Sequence, residues 1–219
     1  MIDGMTLKEY MQNEKSKWKD MSSAQKWDYF KTYYLKSIII VAIIIAVLVY
    51  ILLQIFVFRK DDVMSGLVVN HELSDEAIES FEEGYAKLAD INTSRESVSI
   101  RASNVSDQDY NSIMVVETNT GAGTLDFMIV DKSSYELLNA KSIYSNLEDV
   151  LDKDALAKVD GLVIDTTDVD TNQTYPAAID ISGTEYARKY LDGRDAYLVF
   201  IVSGEHLSDA SKVVEYFFN

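Results

Sequence analysis

Few residue types in this chain could do chemistry. His71 and His206 are the only histidines, and neither lies in an H-E-x-x-H or H-x-x-x-H pattern, so a histidine-built zinc site is not expected. The chain has no cysteine, which removes thiol nucleophiles, thiolate metal ligands and disulfides together. Asp168, Asp170 and Asn172 occupy the first three ligand positions of a calcium loop. Gln173 stands where that loop needs glycine and Ile179 where it needs glutamate, so a polar hairpin loop explains the same residues.

Catalytic patterns are sparse. Ser23-Ala24-Gln25-Lys26 matches S-x-x-K but sits where a helix starts, and no G-x-S-x-G, P-loop or dinucleotide fingerprint is present. Among 36 acidic residues, carboxylate pairs are unavoidable and carry no message about glycoside hydrolysis. The expectation is a non-enzymatic protein without a cofactor. Ligands of open α/β sheets bind beyond the carboxyl ends of the strands. The candidates there are Asn70 and His71, Ser103 and Asn104, Asp131, and Ser203, each of which also fits an ordinary turn or cap.

The elements that would position these residues can be read from periodicity. Strands are expected at Gly66–Asn70, Ser97–Arg101, Leu125–Val130, Gly161–Asp165, Ala177–Ile181 and Ala196–Ser203. Helices are expected from Ser74 through Leu88, from Ser106 through Glu117, at Tyr135–Ala140, around Asn146–Leu151, at Thr184–Leu191 and at Ser208–Phe218. Asp126 is read as a structural turn residue, and Asp131-Lys132-Ser133 as a turn. Strands alternating with helices imply an α/β sandwich with a mixed, partly parallel sheet over residues 61–219.

Ahead of this domain lies an uncharged apolar run, residues 37–58, whose one notable polar interruption is Gln54. Ile38–Phe58 would span roughly 31 Å as a helix, matching a hydrocarbon core of about 30 Å. It is longer than a signal-peptide core and no small-x-small cleavage pattern comes after it, so an uncleaved single-pass anchor is expected. Lys17, Lys19, Lys26, Lys31 and Lys36 precede it against Arg59 and Lys60 after it, which favours a cytoplasmic N-terminus and an extracellular domain. Residues 1–36 carry 7 lysines and 5 acids, with capping-box patterns at Thr6–Glu9 and Ser22–Gln25 and aromatic residues suited to headgroup depth. From Asp61 onward 11 basic residues face 31 acidic ones, a charge that repels phosphate backbones and argues against nucleic acid as a partner. The acidity itself also serves solubility.

The stretch Gly121-Ala122-Gly123-Thr124-Leu125-Asp126-Phe127-Met128-Ile129-Val130-Asp131, followed by Tyr135-Glu136-Leu137-Leu138 and Leu147-Glu148-Asp149-Val150-Leu151, resembles a recurring piece of bacterial extracellular solute-binding proteins. The closing strand Tyr197–Val202 and the helix Asp209–Phe218 are similar to the end of that fold. The chain also resembles single-pass proteins of Gram-positive bacteria with a short Lys- and Tyr-rich cytoplasmic head. The resemblance covers about 100 residues and implies one lobe of a solute-binding protein, hence half a ligand cleft. The expected partners are the membrane and either a small solute or another envelope protein. The alternative is an accessory or assembly subunit of a membrane complex, contacting partners through its transmembrane and cytoplasmic helices.

Overall fold

The computed structural model describes residues 6–56, 60–169 and 171–219. The last two residues of the expected span, Arg59 and Asp170 therefore lie outside the described residues. The chain forms two compact units that part between residues 59 and 60.

The first unit is helical. α1 (Leu7–Asp20) begins with Thr6 accepting from the Glu9 amide while the Glu9 carboxylate takes the Thr6 N–H at 2.9 Å. α2 (Ser23–Tyr29) repeats the device with Ser22 and Gln25. Each box satisfies two of the donors that a helix start leaves without partners. Extended backbone at Met21 and Ser22 turns the chain so that α1 folds back on the helix after it. Glu14 fixes the fold-back by accepting from the Tyr29 hydroxyl at 2.9 Å, from the Tyr34 hydroxyl at 2.5 Å and from Lys17 at 3.1 Å.

From α2 the chain runs through a π-helical turn, Phe30–Leu35, straight into α3 (Lys36–Phe56). α3 holds 21 residues, carries no charge beyond the lysine that opens it and is apolar over most of its surface, long and apolar enough to cross a membrane.

The second unit is an α/β sandwich. Its strands are β1 (Asp61–Val69), β2 (Glu96–Ser103), β3 (Phe127–Val130), β4 (Val163–Thr167), β5 (Thr174–Asp180) and β6 (Tyr197–Phe200). They form one sheet in the order β2-β1-β3-β6-β5-β4. β2, β1 and β3 run parallel, whereas β3–β6, β6–β5 and β5–β4 are antiparallel pairs. The mixed, partly parallel character expected from the alternation is present.

Helices cover both faces of the sheet, so the central strands are apolar without interruption. On one face Val68, Phe127, Ile129, Leu198 and Phe200 pack under Phe81 and Tyr85 of α4 (Asp75–Leu88) and Val213 and Phe217 of the closing helix Ala210–Phe218. On the other, Leu67, Val69, Met128, Val130 and Val199 meet Val116 of α5 (Tyr110–Gly121) and Tyr135 and Leu138 of α6 (Lys132–Asn139). Each such side chain contributes about 1.5–3 kcal/mol by leaving water. Gly66 makes the first core fit, because a Cβ there would lie 2.2 Å from the Phe127 ring.

Some boundaries differ from the sequence reading. Residues 131–133 are the cap and first turn of α6, not a free turn. A helix not anticipated, Lys153–Lys158, is capped by Asp152. The β4–β5 hairpin extends into the polar segment expected to be loop, and Thr167 pairs with Thr174.

Candidate functional site

Parallel pairing brings the carboxyl ends of β1, β2 and β3 to one edge of the sheet. Asn70, His71, Asn104 and Asp131 fall there, one or two residues beyond their strands. This edge lies roughly 25–30 Å along β1 from Asp61, where the chain enters the domain, at ~3.3 Å per residue.

Asn70 is the hub. Its backbone is left-handed (φ 60°), a conformation that asparagine tolerates better than most residues. Its amide nitrogen donates to the Val105 carbonyl at 2.9 Å and to the Ser134 hydroxyl at 2.7 Å. Its side-chain oxygen accepts from the Val105 N–H at 2.8 Å. Arg194 donates to the Asn70 carbonyl at 2.8 Å from the loop before β6. One side chain thus ties β1 to the segment after β2 and to α6.

Asp131 is the N-cap of α6, accepting from the Ser134 N–H at 2.8 Å. Burial works against its charge, but hydrogen bonds from Ser134 and Ser133 and the nearby His71 hold its carboxyl below the ordinary 3.8. His71 is only 3% exposed, and neither ring nitrogen makes a hydrogen bond of normal geometry. Burial, reinforced by the Arg194 charge, lowers its pKa, while Asp131, the Leu191 backbone and Asp192 pull the other way. The charged imidazole is therefore disfavoured relative to a free one. Arg194 is half exposed and stands 3.5 Å from Asp192, and both charges, with that of Asp131, act on the ring. Asn104 is exposed beside them. The edge offers a polar ligand a guanidinium, a carboxamide and a carboxylate within one loop cluster.

Ser203 does not belong to this cluster. β6 runs antiparallel to β3, so the end of β6 lies at the opposite edge, where the Ser203 hydroxyl donates to the Thr120 carbonyl. That opposite edge is built around Asp126. The carboxylate is 2% exposed and accepts from the Ser65 N–H at 2.8 Å and the His206 N–H at 2.9 Å. The His206 ring nitrogen Nδ1 lies 3.2 Å from both carboxylate oxygens. Asp126 is a buried lock between β1, β3 and the segment after β6, a stronger version of the turn role expected for it.

The candidate calcium loop closes on itself. Asp168 accepts from the Thr171 N–H at 2.6 Å and the Thr171 hydroxyl at 2.8 Å, and the Asn172 N–H donates to the Asp168 carbonyl at 2.9 Å. Asn172 takes the left-handed backbone (φ 56°) of a tight turn. Among the described residues no group of three or more His, Asp or Glu is placed to hold a metal ion.

A further concavity lies away from the carboxyl edge, at the amino ends of β1 and β2. An open groove of about 570 Å³ runs between the end of α4 and the start of β2, lined by Lys60, Glu82, Lys87, Asp90 and Glu96 among others. Its lining mixes two lysines with four carboxylates. The carboxyl edge has the more specific chemistry.

Sequence reasoning missed Arg194 and Asp192, which lie 124 and 122 residues beyond Asn70 in a loop without a motif. Comparison of the chain with family models, with curated proteins and with solved structures gave no match in any of the three.

Proposed function

We propose that this chain is a membrane-anchored, non-enzymatic binding protein. α3 crosses the membrane once with the N-terminus inside, and the acidic domain outside binds a small polar solute or an exposed segment of another envelope protein. The observation that carries this reading is the pairing of one 21-residue apolar helix, charged only at its opening Lys36, with a folded domain of 11 basic and 31 acidic residues. The lysines ahead of the apolar run support the orientation. The resemblance to one lobe of solute-binding proteins supports binding over catalysis, and the ligand edge would comprise Asn70, His71, Asn104 and Asp131 with Arg194.

The test uses the full chain in lipid nanodiscs, with thermal unfolding followed across a library of amino acids, sugars, carboxylates and divalent cations. Binding raises the midpoint for one chemical class, and Arg194→Ala abolishes that rise. A flat response across the library contradicts the solute reading.

A second reading rests on a separate observation. In the first unit Trp18, Trp27 and Phe30 line an apolar cup of about 350 Å³ beside Lys26, with Trp27 58% exposed. Such a surface suits an accessory or assembly subunit that docks on a partner membrane protein. Recovery of a stoichiometric partner with the detergent-solubilised chain, lost in Trp27→Ala, supports it.

A further inference from the structure

Past Ser37 at its start, the span is apolar except at one place. Gln54 Nε2 donates to the Tyr50 hydroxyl at 3.1 Å, one helical turn earlier, and Tyr50 is 62% exposed. That bond uses the phenol as an acceptor, so its own proton, the Gln54 carbonyl oxygen and a second amide N–H have no partner among the described residues. In water this would be unremarkable. In hydrocarbon no solvent can meet those groups, and the depth matters. Tyr50 lies about 4 Å along the axis from the midpoint of residues 37–58, at ~1.5 Å per residue.

We infer that Tyr50 and Gln54 mark a face on which α3 pairs with α3 of a second copy of this chain, an inference that rests on the membrane-spanning reading. A second copy is the occupant for a geometric reason. Copies inserted in the same sense bring equal residues to equal depth, so Gln54 meets Gln54. A carboxamide is both donor and acceptor, and hence its own complement. The same row of the helix, stepping by four, carries Ala42 and Ala46, the only alanines of the span. Small residues there let two backbones approach closely enough for the polar groups to reach each other. The opposite face, with Ile44, Leu48 and Ile55, is branched and wholly apolar, and is left to lipid.

The absence of native cysteine makes the test clean, because any introduced thiol reports alone. Ala46→Cys and Leu48→Cys stand about 200° apart around the helix. The full chain carrying either is oxidised in native membranes and the cross-linked dimer quantified. Ala46→Cys should cross-link at least fivefold more than Leu48→Cys, since a disulfide needs Cα atoms within about 7 Å. Adding Tyr50→Phe with Gln54→Leu should reduce the Ala46→Cys dimer by a similar factor without releasing the chain from the membrane. Equal cross-linking at both positions, or a dimer indifferent to the double substitution, overturns the inference. A chain that resists alkaline carbonate extraction but cross-links only to a different protein overturns the second-copy assignment. A chain that carbonate extracts overturns the spanning reading, and this inference with it.

Discussion

At the scale of single residues, burial decides what the titratable groups do. His71 is enclosed without a normal hydrogen bond to either ring nitrogen, so its proton is harder to place in the folded state than in the unfolded one. Its folded pKa is depressed below 6.5. As pH falls, the unfolded chain therefore binds the proton first, and stability drops from about pH 6.5 downward until the folded imidazole itself titrates. One such group limits the slope to about 1.4 kcal/mol per pH unit. Denaturant unfolding of the full chain in detergent at pH 7.5 and pH 5.5 should show a larger loss for the parent than for His71→Gln. Equal losses would mean that the imidazole titrates freely. Asp126 acts through its hydrogen bonds. Removing its carboxylate in Asp126→Ala leaves the Ser65 and His206 N–H groups without their acceptor, for a loss of about 2–4 kcal/mol in the same unfolding measurement. Asp126→Asn retains one acceptor oxygen and should lose clearly less. Had the two variants equal stability, the lock would be a packing effect only.

Among the elements, packing of the sheet depends on a close approach that a side chain would forbid. Gly66→Ala places a methyl into the Phe127 ring, which is fixed between Phe81 and the sheet. The expected cost is about 1–3 kcal/mol, as for other overpacked cores. Phe127→Leu on that background should recover part of it, and additivity of the two losses would show that the residues do not share the space. The elements were largely legible in the sequence because caps and periodicity are local. Ser74, Asn146 and Thr184 each begin a helix as their side chains imply. Asp131 was harder, since the same residue type serves a turn and a cap, and only the apolar positions Tyr135 and Leu138 over the second core decide for the helix. The site was legible only where strand direction could be guessed. Asn70, His71, Asn104 and Asp131 come together because β1, β2 and β3 are parallel, whereas Ser203 falls at the far edge because β6 reverses. Strand direction is a property of the connections, and no local residue pattern records it. Arg194 joins the site through a loop contact 124 residues from Asn70, which periodicity cannot register.

For the molecule as a whole, the division of charge and apolarity is the organising fact. A lysine-bearing helical pair held by Glu14, one apolar helix, and an acidic sandwich succeed each other along the chain. On the proposed topology the membrane separates the first from the last, and the carboxyl edge with His71 and Arg194 is the proposed ligand edge. That topology is the central claim. Since the chain contains no cysteine, single thiols placed at exposed positions of the two units, Lys15→Cys and Ser94→Cys, can be probed in intact cells with a membrane-impermeant maleimide. Ser94→Cys should be labelled in intact cells and Lys15→Cys only after permeabilisation. The reverse pattern, or labelling of neither until the cells are opened, would contradict the proposed topology.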